Sequence, residues 1–246
     1  MKEEILIEDF ESKTAQEILK YAIEKYKDKV ALASSFGAED VVLIDMLVKI
    51  HNELRITNYK PPIFTIDTGR LPQETYDLMD RIKEKYDVEI KVFFPEAKAV
   101  EDMVEKYGFN LFYKSLELRQ LCCKIRKVDP LNRAFKELNL DAWICGLRRE
   151  QSVTRAEIKK VEYEERVIDG VKKTIVKLNP LADWTEQQVW QYIKQNNVPY
   201  NTLHDKGYPS IGCAPCTRAV RKIEDIRAGR WWWEDPDKKE CGLHKR

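Results

Sequence analysis

Short apolar runs alternate with helical stretches along most of the chain, and this alternation constrains the fold more than any other feature. The four clearest runs cover residues 30–33, 63–66, 88–94 and 142–146. Strands that alternate with helices pair in parallel, because each helix carries the chain back across a face of the sheet. The sequence therefore predicts an α/β fold with a doubly wound, mainly parallel sheet and flanking helices.

A hairpin signal indicates two further strands. Asp169-Gly170 separates two alternating runs, 161–168 and 171–178, and this dipeptide favours the tight turn of a β-hairpin. We expect the hairpin at the edge of the sheet. Beyond a helix near 185–195 the chain becomes rich in glycine, proline, tryptophan and charge, which predicts ordered loops that end in a flexible arm.

The charge balance excludes several classes of partner. Lysine and arginine number 43 against 42 aspartates and glutamates, which leaves a formal charge of +1. Such a balance provides no overall field that would attract nucleic acid or an anionic membrane. The longest apolar stretch, around 41–50, is interrupted by Asp45 and Lys49, and the N-terminal residues lack an apolar signal core. We therefore expect a cytoplasmic protein with reduced thiols that binds neither nucleic acid nor membrane.

Polar clusters follow three of the apolar runs. They are Ser34-Ser35-Phe36-Gly37, Asp67-Thr68-Gly69-Arg70 and a third from Gly146 to Ser152. The carboxyl ends of parallel strands meet at one edge of a sheet, where ligands bind. The first cluster also precedes a helix, whose N-terminal amides attract phosphate, although it lacks the Gly-Lys-Ser/Thr of a Walker loop. One such cluster is typical of an ordinary strand–helix turn, but three together favour a nucleotide site.

Arginines supply candidate anion ligands near these clusters. Arg148, Arg149 and Arg155 follow the fourth run, and Arg218, Arg221, Arg227 and Arg230 follow Cys216. Guanidinium groups bind phosphate and sulfate oxygens in a bidentate manner, although each arginine alone is as typical of a solvated surface. Trp231-Trp232-Trp233 directly follows Arg230, and three consecutive tryptophans predict a packed segment that fixes Arg227 and Arg230. An exposed partner-binding patch is the alternative.

Four of the six cysteines could bind a metal ion or an iron–sulfur cluster: Cys122, Cys123, Cys213 and Cys216. Adjacent side chains diverge, so Cys122 and Cys123 can serve one centre only where a helix ends or the backbone kinks. A [4Fe–4S] cluster tolerates this arrangement better than a compact tetrahedral zinc ion, and we favour the cluster. Cys145 lies inside an apolar run and is predicted to be a small buried residue.

Cys241 is a single thiol near the C-terminus, beside Gly242 and His244. A lone terminal cysteine is often incidental. Here, however, glycine allows close approach of a ligand, and a cationic histidine would lower the pKa of the thiol. Because the thiolate is the attacking form, these neighbours indicate a nucleophile on a mobile arm.

Taken in order, these motifs resemble those of the assimilatory adenylyl-sulfate and phosphoadenylyl-sulfate reductases over nearly the whole chain. The shared motifs are SSFGAED from Ser34, DTGRL from Asp67, the Cys122-Cys123 pair, GLRREQS from Gly146, NPLADW from Asn179, CAPC from Cys213, RAGRWWW from Arg227 and ECGLH from Glu240. The tandem cysteines together with the C-x2-C pair mark the branch that carries a [4Fe–4S] cluster. That branch generally uses adenosine 5′-phosphosulfate (APS), whereas the cluster-free branch prefers the 3′-phosphorylated nucleotide (PAPS). A polar insert at 51–62 departs from the family pattern and is expected on the surface.

The resemblance implies an ATP-pyrophosphatase-like fold and gives each site residue a role. The cluster ligands would be Cys122, Cys123, Cys213 and Cys216. The nucleotide pocket would be formed by Ser34, Ser35, Phe36, Gly37, Thr68, Gly69, Arg70 and Gly146. The phosphosulfate would be held by Lys127, Arg155, Arg227, Arg230 and His244. Cys241 would be the nucleophile.

The activity that the resemblance implies is reduction of APS to sulfite and AMP through an S-sulfocysteine intermediate, with thioredoxin as electron donor. A PAPS or dual-specificity reductase is the alternative within the family. A cluster-containing tRNA thiolation enzyme and a zinc-stapled interaction module are alternatives outside it. If the protein is an APS reductase, residues 1–208 form a nucleotide-binding reductase domain. Residues 209–246 then carry the second cysteine pair and the mobile catalytic arm. Homo-oligomers are common in the family, although no residue here indicates one.

Overall fold

The computed structural model of the protein describes residues 10–56, 63–168, 170–221 and 223–235. A six-stranded sheet has the order β3-β2-β1-β4-β6-β5. The strands are β1 (Val30–Ala33), β2 (Ile63–Ile66), β3 (Ile90–Phe93), β4 (Ala142–Ile144), β5 (Val161–Ile168) and β6 (Val171–Leu178). Neighbouring strands are parallel except β5 and β6, which pair antiparallel. The predicted α/β class with a mainly parallel sheet is confirmed.

Helices connect the parallel strands. Those in the described residues are α1 (Ala15–Tyr26), α2 (Ala38–Glu53), α3 (Gln73–Tyr86), α4 (Ala97–Tyr107), α5 (Leu116–Cys123), α6 (Asp129–Glu137) and α7 (Glu186–Gln195). Capping boxes open α1 at Thr14 and α7 at Thr185, where each threonine hydroxyl accepts a hydrogen bond from a first-turn amide. Helix α2 begins directly after Gly37, so the first predicted polar cluster lies between β1 and this helix.

Both faces of the sheet are covered, because successive side chains of a strand point to opposite faces. In β4, Ala142 and Ile144 join a large core with helices α1, α2, α3 and α7. Trp143, between them, joins a smaller core with α6 on the other face. The same alternation divides Leu32 and Ala31 of β1 between the two cores. The sheet is therefore a rigid platform, and its carboxyl edge is the place where polar loops can meet.

A third apolar cluster joins α4 and α5 to the chain after residue 212. It contains Met103, Phe112 and Trp231 together with the four cysteines predicted as ligands. Helix α5 ends at Cys123, and a π-helical turn, Lys124–Val128, leads into α6. The predicted change of backbone at the tandem cysteines is thus present.

The hairpin occurs as predicted, with β5 at the edge of the sheet. Gly170 has a φ of +77°, which a glycine adopts without strain, and Asp169 lies outside the described residues. The surface prediction for the insert at 51–62 is wrong at its start, because α2 continues to Glu53 and His51 is buried. Residues 57–62 lie outside the described part of the chain.

The tryptophan triplet is packed at its first member. Trp231 is 1% exposed, whereas Trp232 is 40% exposed. Arg230 stacks on Trp231, with the guanidinium carbon 4.7 Å from the ring centroid.

None of the helices in the described residues combines the length and apolar character needed to cross a membrane. The division of the chain at residue 208 stays a prediction.

Candidate functional site

A cavity of about 250 Å³ opens at the carboxyl ends of β1, β2 and β4. This volume lies just below the range that is typical of small-molecule sites, roughly 300 to 1,000 Å³. Most of the residues predicted to bind substrate line it: Ser34, Ser35, Gly37, Thr68, Lys127, Gly146, Arg155, Arg227 and Arg230. The strands deliver their loops to one edge, as the parallel topology requires.

The remaining predicted residues lie elsewhere. Phe36 is buried in the main core at a φ of +59°, and Gly69 turns the backbone of its loop at a φ of +69°. Arg70 faces a second cavity and stacks on Phe112 at 5.2 Å. Cys241 and His244 lie outside the described residues, so their predicted roles stay predictions.

The loop between β1 and α2 is closed by a carboxylate of its own helix. Asp40 accepts hydrogen bonds from the Ser35 amide at 2.7 Å and from the Ser35 hydroxyl at 2.8 Å. The Ser34 hydroxyl accepts from the Phe36 amide at 3.1 Å. This helix N-terminus therefore already holds an anionic side chain, which the sequence prediction of an open anion site did not foresee.

Gly146 allows this loop to pack against the end of β4. A Cβ atom at this position would collide with a carboxylate oxygen of Asp40 and lie 3.0 Å from Cβ of Glu39. Arg148, two residues further on, is 3% exposed and donates to Glu39 at 2.8 Å. The close approach of two loops at the sheet edge thus requires glycine here.

Burial raises the pKa of Asp40 to about 6, although the hydrogen bonds from Ser35 oppose the shift. Because the folded-state pKa lies above the unfolded one, the protonated form contributes stability that is complete below about pH 4 and is lost as the pH rises through about 6. We expect Asp40→Asn to gain stability relative to the wild type between pH 4 and 7.5, by roughly 2 to 3 kcal/mol. Urea unfolding at four pH values in this range measures the difference, and a constant difference would contradict the assignment.

The loop after β2 connects the first cavity to the cysteines. Asp67 accepts from the Gly69 amide at 2.7 Å and from the Tyr76 hydroxyl at 3.0 Å, which fixes the turn. Thr68 then lies 3.2 Å, hydroxyl oxygen to sulfur, from Cys213. Arg126 donates to the Thr68 carbonyl at 2.6 Å. Residues that line the strand-end cavity are therefore in direct contact with the cysteine region.

The four candidate ligand cysteines are all buried and line a second, smaller cavity. Arg126, Lys127 and Trp231 complete much of its wall. Nε of Arg126 and Nε1 of Trp231 are buried and have no hydrogen-bond partner among the described residues. Buried donors without partners are costly, so this wall suits an anionic group that would accept from them.

The electrostatics of this cavity favour thiolate at one position in particular. Burial opposes ionisation of Cys213, but Lys127, the Thr68 hydroxyl and Arg230 outweigh it and lower the pKa of this thiol. Burial raises the pKa of Cys216 to about 12, with the neighbouring Cys213 adding to the effect. A bound metal centre would shift both toward thiolate, since metal ligation deprotonates cysteine.

The two cavities share a wall. Lys127, Cys213 and Trp231 line both of them. Nζ of Lys127 lies 6.0 Å from the ring centroid of Trp231. A cation therefore lies between the strand-end cavity and the cysteine-lined one, where it can act on ligands in either.

Sequence reasoning missed several residues of the larger cavity, among them Asp40, Trp190 and His204. Asp40 could have been found from its place in the first turn of α2, directly after the loop. Trp190 and His204 reach the cavity only through the packing of α7 and the turn His204–Lys206, so no local pattern marks them.

The fold and the strand-end cavity define an α/β protein of the ATP-pyrophosphatase-like class. An FMN adenylyltransferase of Candida glabrata is similar at this level alone, with a TM-score of 0.58 at 13% identity over 92% of this chain and 78% of that one. A family model for the phosphoadenosine phosphosulfate reductase domain matches residues 29–219, and the chain belongs to this family.

Individual relatives support the same family assignment. The adenosine 5′-phosphosulfate reductase of Allochromatium vinosum is 48% identical over 219 residues, which cover 89% of this chain and 80% of the relative. The adenosine 5′-phosphosulfate reductase of Burkholderia cepacia is 52% identical over 217 residues, which cover 88% of this chain and 81% of the relative. A phosphoadenylyl-sulfate reductase of Candida auris, solved as a phosphate complex, has a TM-score of 0.68 at 29% identity over 87% of this chain and 96% of that one. The family predicted from the sequence is confirmed.

Proposed function

We propose that this protein reduces APS to sulfite and AMP, a step of assimilatory sulfate reduction that leads to cysteine biosynthesis. The observation that carries the proposal is the shared wall of the two cavities, in which Lys127 and Cys213 line both the strand-end cavity and the cavity formed by the four cysteines. The names of the two bacterial relatives, at 48% and 52% identity, support APS as the substrate.

The cysteine site suits a [4Fe–4S] cluster. Cys122, Cys123, Cys213 and Cys216 surround a cavity whose walls carry the unpartnered donors of Arg126 and Trp231, which would face an anionic group. Cys122 and Cys123 are adjacent, and their diverging side chains suit a large cluster better than one tetrahedral zinc ion. When bound, the cluster would supply a fixed anionic charge beside Lys127 and hold the two cysteine pairs together.

The proposed chemistry is a two-step sulfonyl transfer. The Cys241 thiolate attacks the sulfur of APS; a sulfur–sulfur bond forms, the bond from sulfur to the phosphate oxygen breaks, and AMP leaves with the electron pair. A thiolate of a dithiol donor such as thioredoxin then attacks Sγ of Cys241, and sulfite leaves with the electron pair. A second donor thiol resolves the mixed disulfide, so the dithiol is oxidised as the sulfonate is reduced by two electrons.

The cations of the larger cavity stabilise the charge that spreads over the phosphosulfate during attack. Lys127 and Arg230 are held in place on the Cys213 side by their contacts with Trp231. Arg155 donates to Gln151 at 2.5 Å, which orients it at the rim with Arg227. Fixed cations aimed at developing negative charge are the main source of rate acceleration in such transfers. A cytoplasmic location, where thioredoxin and reduced thiols occur, is part of the proposal.

The test is the intact mass of anaerobically purified protein after incubation with APS or PAPS, for the wild type and Cys241→Ser. We expect a sulfonate adduct with APS in the wild type and none in Cys241→Ser, because the adduct forms on that thiol. An equal adduct with PAPS would make the enzyme dual-specific. No adduct with either nucleotide, in protein that contains its iron and acid-labile sulfide, would contradict the proposal.

A further inference from the structure

His204 lines the larger cavity with both ring nitrogens unused. Nδ1 and Nε2 are buried, and neither has a hydrogen-bond partner among the described residues. The backbone of Tyr208 lies near the ring without reaching hydrogen-bond geometry. Trp190 packs edge-to-face against the imidazole, with 5.0 Å between the ring centroids. A buried donor and acceptor without partners are expensive unless a ligand satisfies them.

The imidazole is neutral near pH 7. Burial is the largest influence and lowers the pKa of His204, against a smaller upward effect of the Glu39 carboxylate. In the neutral form one ring nitrogen donates and the other accepts. A hydroxyl can pair with either ring nitrogen, because it can accept from the protonated one or donate to the other.

The larger cavity is electrically polarised. On the Cys213 side it contains Lys127 and Arg230, both stacked on Trp231. On the His204 side, Glu186 lies one helical turn from Trp190 on the same face of α7, and both line the cavity. A nucleotide whose acidic end binds at Lys127 and Arg230 can extend its sugar and base toward His204.

The guanidinium beside Glu39 is already engaged. Arg148 pairs with Glu39 at 2.8 Å and with Glu150 at 2.9 Å. A phosphate placed beside His204 would thus meet a neutral ring and the carboxylates of Glu39 and Glu186 rather than a phosphate-binding group.

We propose that His204, held by Trp190, hydrogen-bonds the ribose 2′,3′-hydroxyl edge of the bound adenine nucleotide and that this end of the cavity selects against a 3′-phosphate. The inference rests on the proposed function, since it takes the nucleotide to bind in this cavity. It makes His204 a specificity-determining residue, and it explains a preference for APS over PAPS through chain elements that lie outside the predicted phosphosulfate ligands.

The experiment compares ligands that differ by one hydroxyl. Binding of AMP, 2′-deoxy-AMP and 3′-deoxy-AMP is measured by isothermal titration calorimetry with the wild type and His204→Phe. We expect His204→Phe to weaken AMP binding roughly 3- to 10-fold, while binding of the deoxynucleotide that lacks the partner hydroxyl changes less than 2-fold. His204→Gln, which keeps a donor and an acceptor, should retain part of the AMP affinity. His51→Phe, a buried histidine away from the cavity, should change no ligand's affinity.

Equal loss of affinity for all three nucleotides in His204→Phe would overturn the assignment, because a purely structural role affects them alike. Selectivity against a 3′-phosphate is measured with adenosine 3′,5′-bisphosphate, which should bind the wild type at least 10-fold more weakly than AMP. His204→Arg should reduce this difference in affinity. Equal binding of the bisphosphate and AMP to the wild type would overturn the selection.

The two proposals can fail separately. Hydroxyl-dependent AMP binding without any Cys241 adduct would support the role of His204 and remove the reductase activity. An adduct with APS, but AMP binding that depends on neither hydroxyl, would support the reductase activity and contradict the role of His204.

Discussion

Lys127→Ala should slow sulfonation of Cys241 by APS by roughly 10²- to 10³-fold, the range found when a preorganised donor to transition-state charge is removed. Lys127 is the cation on the wall between the two cavities, and it lies beside Trp231 and lowers the pKa of Cys213. Its removal takes a positive charge from both cavities but removes none of the four cysteines. The measurement is a single-turnover time course of the adduct by intact mass, together with iron and acid-labile sulfide content.

Lys124→Ala is the matched control for this experiment. Lys124 is on the same π-helical turn, but its side chain is 63% exposed and pairs with Asp129 at 2.9 Å. We expect less than a 2-fold change in rate, because an exposed ion pair contributes little. An unchanged rate in Lys127→Ala would refute the electrostatic role. Loss of iron and rate together would instead assign Lys127 to holding the cysteine site intact.

Local patterns were sufficient to predict the elements of the fold. The apolar runs and the Asp169-Gly170 turn are signals within a few residues, and β1, β2, β5 and β6 have the predicted bounds. The order of the strands depends on how the helices pack and carries no such signal. The error at His51 has the same origin, since the residue looks polar in sequence but lies on the buried side of α2.

The part of the candidate site that is formed by the loops after the strands could be predicted from the sequence. Ser34, Thr68 and Gly146 follow β1, β2 and β4, and the parallel topology brings them together. No local pattern marks His204, and although the place of Asp40 in the first turn of α2 marks it as a candidate, the burial of its carboxyl group is not visible in the sequence. An imidazole without a partner and a carboxyl with a raised pKa are properties of the packed structure.

Arg119→Met should lower the free energy of unfolding by about 3 to 5 kcal/mol, because it leaves a buried carboxylate unpaired. Arg119, on α5, is 1% exposed and donates to Glu234 through Nε at 2.9 Å and Nη2 at 2.8 Å. Its guanidinium carbon also lies 4.8 Å from the Trp231 ring centroid. For a chain of this length the loss corresponds to a decrease in Tm of roughly 6 to 20 °C, measured by calorimetry.

The double variant Arg119→Met, Glu234→Met shows whether the loss of stability comes from the unpaired charge or from lost packing. Removing both charges should recover most of the lost stability, since apolar residues often replace a buried ion pair without net cost. Lys206→Met, which breaks the exposed pair with Glu74 at 2.9 Å, should leave the free energy of unfolding almost unchanged. Equal destabilisation in the single and double variants would assign the effect to lost packing on Trp231. Because Cys241 follows Glu234 by seven residues, the pair fixes the point from which the proposed nucleophile must reach the cavity. A double variant that regains stability but forms the APS adduct slowly would therefore separate this positioning role from stability.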